Sequence, residues 1–304
     1  TARAAAGGEP VGECGGAASP VGDYYCWNAF GRLYGSFGYQ EERADMAGYD
    51  LKTAGVLAGL DYAFARELRA GVLGGFSYNT SELGRHLGDN TDLMTRLGLY
   101  GCFNWDGLYV DVSPTFGLHR LKSERRIHID DWSARAENER WAWDLNLLVN
   151  AGVTINLPGR TYFTPEFSIA PGVFHSPDYE ESGAADNFNL RVDAQTNWSL
   201  LQTLGFRLGT IIDLGCGTQL KPEFALAWEH EYLDTAGETT NAFVAAPDRS
   251  WRNVLNGISR ERLLLSLGLS ALVMDDLSLY LRWDQRIWED GYTCSFSAGA
   301  AYGF

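Results

Sequence analysis

The last thirteen residues, 292–304, alternate with almost no exception between two sets of side chains. One set is Tyr292, Cys294, Phe296, Ala298, Ala300, Tyr302 and Phe304; the other is Thr293, Ser295, Ser297, Gly299, Ala301 and Gly303. A period of two over that length specifies a strand with one apolar face and one small or polar face. A free edge strand so long would template aggregation unless a closed sheet absorbed it. The pattern suits the closing strand of a transmembrane β-barrel, with the aromatic set turned to lipid.

The same period recurs along the chain and predicts an all-β, antiparallel up-and-down barrel of about twelve strands. The candidates are 27–40, 49–64, 68–79, 92–105, 107–121, 140–157, 161–174, 197–213, 219–233, 260–273, 277–288 and 292–304. In 140–157, for example, Trp141, Trp143, Leu145, Leu147 and Val149 oppose Asp144, Asn146 and Asn150. Apolar residues return at i+2 and i+6 rather than at i+3 and i+4, a spacing that a helix explains poorly.

Connections carry independent information. Those at 65–67, 105–107, 158–160, 214–217 and 274–276 are tight. Those at 41–48, 80–91, 122–139, 176–196 and 234–259 are longer and polar, and only 289–291 breaks the rhythm. Short periplasmic turns alternating with long outer loops are the habit of membrane barrels, and a soluble sandwich gives no reason for them. The rhythm places both termini on the periplasmic side.

Composition is compatible with this reading. At 45% hydrophobic residues and a mean hydropathy of −0.20, no stretch reaches the roughly 18–20 apolar residues of a spanning helix. Barrel strands need only about 9–11 residues, oily at alternate positions. The 35 glycines ease curvature, and the 10 tryptophans and 15 tyrosines supply interfacial aromatics. A net charge of −15 argues against nucleic acid as a partner.

Residues 1–26 differ from the rest: rich in Gly, Ala and Pro and lacking alternation, they read as a linker or plug. With Thr1 as the first residue, the chain is expected to be a processed portion of a longer product, in which 1–26 follow an absent domain and 27–304 form the barrel. Of the five cysteines, Cys14 and Cys26 are the only pair close enough to suggest a local disulfide. Cys102, Cys216 and Cys294 fall on or beside different strands and are expected to be unpaired. None has zinc-site spacing, and neither metal nor cofactor is expected.

In order along the chain, several runs resemble the C-terminal translocator (β-domain) of type V secretion autotransporters. They are Gly31-Arg-Leu-Tyr-Gly-Ser-Phe-Gly38, Gly55-Val-Leu-Ala-Gly-Leu-Asp-Tyr-Ala-Phe64, Leu68-Arg-Ala-Gly-Val-Leu-Gly-Gly-Phe-Ser-Tyr78, Leu97-Gly-Leu-Tyr-Gly-Cys-Phe-Asn-Trp105 and the closing Ala300-Ala-Tyr-Gly-Phe304. The resemblance covers residues 27–304. It implies a twelve-stranded monomeric barrel in the bacterial outer membrane, in contact with lipid and lipopolysaccharide, that exports its own N-terminal passenger. It also implies periplasmic chaperones and a barrel assembly machinery reading the last strand, through Phe296, Ala298, Ala300, Tyr302 and Phe304. Family members usually thread a linker, often helical, through the pore. The glycines and prolines of 1–26 disfavour a helix here. No Asn-Asn pair occurs in 1–26, so the self-cleavage of some members is not carried over.

The predicted inner face carries Arg32, Tyr34, Arg69, Arg96, Tyr100, Asp111, Asp144, Glu166, Arg207, Glu223, Glu229, Arg282 and Asp284. Facing hydrocarbon, each arginine would cost about 2–4 kcal/mol at mid-bilayer, so these residues are expected to line a wet lumen. There they either brace the barrel or guide a transiting polypeptide. Trp27, Trp105, Trp141, Trp143, Trp198, Trp228, Trp283, Trp288 and Tyr292 tend to strand ends and are expected to form interfacial girdles. His175 beside Ser176 invites a catalytic reading. Adjacent strand residues point to opposite faces, however, so no enzyme is expected. His86, His119, His128 and His230 read as solvated loop or strand-end residues. Two other readings stay open: an outer-membrane channel or enzyme on a similar barrel, and a soluble β-sandwich binding module.

Overall fold

Strands built on a strict two-residue period can bury one face only by pairing, and here they pair until the sheet meets itself. The computed structural model describes residues 27–304 except 44–46, 186, 216, 236, 255–256, 258 and 274–275. The ring comprises β1 (Trp27–Gln40), β2 (Tyr49–Ala63), β3 (Leu68–Leu83), β4 (Gly88–Trp105), β5 (Leu108–Ile129) and β6 (Trp132–Val153). It continues through β7 (Thr161–Ser176), β8 (Gln195–Thr210), β9 (Thr218–Glu231), β10 (Glu261–Val273), β11 (Leu277–Trp288) and β12 (Gly291–Gly303). Each strand runs antiparallel to its chain neighbours, and β12 pairs β1 from Asn28↔Gly303 to Gln40↔Gly291. That pairing closes the ring and leaves it without an edge. Beyond it, Trp27 and Phe304 exchange backbone hydrogen bonds of 3.2 and 3.0 Å, so both ends sit on one rim.

Burial is inverted relative to a soluble protein. Leu33, Leu97 and Leu281 are more than half exposed on the outer surface, while Asp61, Asp111 and Asp144 are at most 3% exposed. An outer surface that is oily all round and an interior that is polar fit a barrel standing in hydrocarbon. No helix among the described residues is long and apolar enough to cross a membrane.

The rim that holds the termini carries the tight connections. Asp106 and Gly107 both take positive φ, 47° and 84°, as a two-residue hairpin turn requires. The far rim departs from the sequence reading. Segments 80–91 and 122–139, expected as loops, are mostly strand: β3 runs to Leu83 and β4 starts at Gly88, while β5 and β6 extend to Ile129 and from Trp132. Outside the membrane a hairpin has no need of an apolar face, so polar residues on both sides hide it from an alternation count. Segments 176–196 and 234–259 likewise hold short strands, Tyr179–Glu180, Leu190–Val192, Glu238–Phe243 and Ala246–Val254. Their sheet order matches that of β7 to β10, and a bridge from Glu137 to Ser182 joins them to β6. They continue the wall as a fence along one side of the far rim.

Curvature is absorbed where lumen-side aromatic rings lie over glycines of the next strand. A Cβ on Gly55 would stand 2.3 Å from the Tyr34 ring, and one on Gly299 equally close to Tyr280. Among the cysteines, Cys294 is free as expected, but Cys102 is disulfide-bonded, contrary to expectation. That expectation rests on its strand alone, which says nothing of what stands opposite it. The Cys14–Cys26 pairing and the linker reading of 1–26 lie outside the described residues.

Gly299→Ala forces the Tyr280 ring and the Gly31 carbonyl apart, at roughly 1–3 kcal/mol for overpacking. Gly31→Ala meets nothing within 4 Å. Heat-modifiable mobility in detergent is expected to show folded Gly299→Ala lost at a lower temperature than wild type, and Gly31→Ala unchanged.

Candidate functional site

Alternation turns every second side chain of β1–β12 into one shared interior, and the polar residues there form paired clusters rather than isolated charges. On β4, β5 and β6, Arg96 Nη2 donates to both carboxylate oxygens of Asp144 at 3.2 Å. His119 Nε2 stands 2.6 Å from Asp144, and its Nδ1 stands 3.0 Å from both oxygens of Asp92. The imidazole is fully buried, with Phe174 packed edge-on at 5.4 Å. His119 was expected to be solvated, and the structure corrects this. It shares the strand parity of Asp111, Ser113 and Thr115, a signal present in the sequence that outweighs its nearness to the strand end.

On β7–β9, Arg207 pairs with Glu166 at 2.8 Å and Glu223 at 3.8 Å, and the Tyr162 hydroxyl donates to Glu223 at 2.5 Å. On β9–β11, Glu229 takes Arg286 at 3.1 Å and Arg262 at 3.8 Å. Arg282 donates to Asp284 at 2.8 Å, and Ser266 bonds the same carboxylate. Near the terminal rim, Asp61 accepts from Tyr100 at 2.5 Å and from Asn28 at 2.9 Å, and pairs with Arg69 at 3.1 Å. Arg32 donates to Ser297 across the β1–β12 closure at 3.0 Å. Tyr34 lies over Gly55, and Asp111 is 2% exposed on the inner face of β5.

All thirteen residues picked as lumen-lining thus lie on the inner side of their strands. The sequence reading missed their partners Asp92, Asp61, Tyr162, Arg262 and Arg286. Inward parity alone would have found them, but a partner on another strand is visible only once register is known.

The aromatics divide between the rims. Trp27 and Trp105 sit outward at the terminal rim, where Trp27 meets Tyr62 edge-on at 5.0 Å. Trp141, Trp143, Trp198, Trp228 and Tyr292 sit outward toward the far rim. Two depart from the expected girdle. Trp283 lies mid-strand, paired with Leu267 and Phe296, and donates its indole N–H to Cys294 at 3.0 Å. Trp288 has inward parity, is 7% exposed, and donates to Gln40 at 2.7 Å. An indole with a polar partner inside has no reason to stand in lipid. Phe296, Tyr302 and Phe304 face outward, and Ala298 and Ala300 share their parity.

No catalytic grouping emerges from the histidines considered. His175 Nδ1 contacts Thr196 Oγ1 at 2.9 Å, while Ser176 accepts from Arg140 at 2.9 Å on the other face. His230 is engaged with Glu261 at 2.7 Å. Among the described residues no group of three His, Cys, Asp or Glu is placed to hold a metal ion. The interior offers donors and acceptors of both signs along the barrel axis. Such a surface can form ion pairs and hydrogen bonds with a polar chain.

Removing one member of a buried pair strands the others at roughly 3–5 kcal/mol. His119→Ala is expected to lower the unfolding midpoint of the detergent-solubilised barrel in denaturant more than His86→Ala, whose side chain is exposed.

Comparison with known proteins agrees with this architecture. A family model described as the autotransporter β-domain matches residues 29–284. Two curated relatives from Serratia marcescens, each named extracellular serine protease, are 25% and 24% identical over 91% of this chain. The match takes in 26% of their length, so the chain spans about a quarter of those relatives. Among solved structures, the translocator domain of NalP from Neisseria meningitidis aligns at a TM-score of 0.73 and 13% identity, covering 94% of this chain and 91% of that one. The β-domain of Bordetella BrkA aligns at 0.71 and 20% identity, covering 92% and 100%. The transport unit of AIDA-I from Escherichia coli aligns at 0.63 and 13% identity, covering 91% and 90%. At these identities the structural matches speak for the fold.

Proposed function

The chain belongs to the autotransporter β-domain family, and from that we propose that its barrel carries a passenger polypeptide, N-terminal to residues 1–26, across the bacterial outer membrane. The barrel itself is an outer-membrane translocator domain. The observation that carries the proposal is the closed ring with a charged interior: the clusters around Asp144, Arg207 and Glu229 give a transiting chain polar partners at several heights.

On this reading the passenger is the substrate and no bond is made or broken by the barrel. The lumen residues brace the wall when the pore is at rest and hydrate a chain in transit. The outward set Phe296, Ala298, Ala300, Tyr302 and Phe304 serves as the mark by which the assembly machinery receives the last strand. Periplasmic chaperones, lipid and lipopolysaccharide are its other partners, and it works as a monomer.

An epitope fused ahead of Thr1 and expressed in a bacterium with an outer membrane tests this. The epitope is expected to be cleaved by protease added to intact cells. An epitope that stays protected while the barrel is folded in the membrane overturns export, and ion conductance without display assigns the barrel to the channel class instead. Phe304→Asp is expected to lower the amount of folded barrel in the outer membrane, read by heat-modifiable mobility of membrane fractions.

A further inference from the structure

Above the lipid-facing apolar residues of β2 to β5 runs an unbroken polar row. Lys52 stands opposite Thr80, Thr80 opposite Thr91, and Thr91 opposite Lys122. All four share the outward parity of Val56, Phe76, Leu93 and Leu118 on their own strands, and both lysines are exposed. Two of the chain's three lysines are thus spent on one row. Among the described residues neither lysine has an ion-pair partner. One row nearer the membrane lie Tyr78, Leu93 and Arg120, the last bonded to Glu139 at 2.6 Å yet half exposed.

Depth fixes what this row meets. Lys52 lies 11 residues from Ala63, at the terminal-rim end of β2, and Arg120 lies 12 from Leu108, at that end of β5. At about 3.4 Å per residue and a tilt of about 40°, both stand roughly 30 Å above the terminal rim, just beyond an apolar band about 25 Å tall. That is head-group depth in the far leaflet. The next row outward is acidic: Asp50, Glu82, Asp89, Glu124 and Glu137 face one another strand by strand. Arg126 and Arg135 engage Asp89, Glu124 and Glu137, and the row as a whole repels an anion from above. On β1 and β7 to β12 every cation of the ring strands turns inward: Arg32, Arg207, Lys221, Arg262, Arg282 and Arg286. Outward cations at this depth are therefore confined to one sector of the barrel.

We propose that Lys52, Thr80, Thr91 and Lys122, with Arg120 beneath them, form a binding site for the phosphates of an outer-leaflet glycolipid of the lipopolysaccharide class. The ammonium groups pair with phosphate, and the two hydroxyls between them donate to phosphate or sugar oxygens. The lysine Cα atoms stand about 14 Å apart, three strand spacings of about 4.8 Å, a span suited to a head group with two phosphates. Tyr78 and Leu93 lie under the acyl chains of the same molecule. The site rests on the outer-membrane placement of the barrel and not on export.

Native mass spectrometry of the detergent-solubilised full chain, titrated with bisphosphorylated lipid A or with phosphatidylglycerol, tests the site. Wild type is expected to retain lipid A in preference to phosphatidylglycerol. The double variant Lys52→Gln/Lys122→Gln is expected to bind lipid A roughly tenfold or more weakly, and Lys52→Arg/Lys122→Arg to restore it. Both lysines are exposed, so heat-modifiable mobility is expected to be unchanged. Equal retention of the two lipids by wild type, or undiminished lipid A binding by the glutamine variant, overturns the proposal. Displacement of lipid A by an equal concentration of inorganic phosphate assigns the row to free phosphate and overturns the glycolipid. Epitope display is scored separately in the same variants. Lost binding with display intact leaves export standing, and lost display with binding intact leaves this site standing.

Discussion

Everything in this structure depends on the backbone hydrogen bonds between β1 and β12. Inside a bilayer no water is at hand to satisfy a peptide N–H or C=O, and each one left unpaired costs several kcal/mol. An open twelve-stranded sheet would present two such rows. The register from Asn28↔Gly303 to Gln40↔Gly291 satisfies both at once, and the exchange between Trp27 and Phe304 extends it to the rim. Small residues on both strands, Gly31, Gly35, Ala298 and Gly299, let the closure curve, and Tyr280 covers the gap that Gly299 leaves.

Closure creates the second condition, an interior that must remain polar while staying electrically balanced. The solution is local pairing of opposite charges. Arg96, Asp144, His119 and Asp92 form one cluster, Arg207 lies between Glu166 and Glu223, and Glu229 lies between Arg262 and Arg286. Each cluster spans adjacent strands or strands one apart, so it braces the wall as well as charging the lumen. The two roles proposed for these residues, bracing and guiding, are therefore compatible properties of one arrangement.

Much of this was legible in the chain. Leu93, Leu97, Leu99 and Phe103 announce an outward face, and Arg96 and Tyr100 an inward one, because strand geometry converts odd and even positions directly into sides. His119 was misjudged from its place near a strand end although its parity was correct, since a strand does not stop where its apolar face stops. Trp288 was misjudged by residue type: tryptophan favours interfaces, but this one finds Gln40 inside. The hairpin extension of β5 and β6 was missed because solvent on both faces removes the alternation that marks a strand within the membrane.

The sequence by itself determined the sidedness of each strand, the up-and-down order and the two rims, because the first rests on a two-residue period and the others on loop length. Only the tertiary structure decided the partnerships. Which carboxylate meets which arginine depends on the stagger between strands, and a shift of two residues preserves every face while changing every pair. The disulfide at Cys102 belongs to the same class of fact: the chain states that a thiol faces the lumen, and only three-dimensional neighbourhood states that another sulfur is within reach.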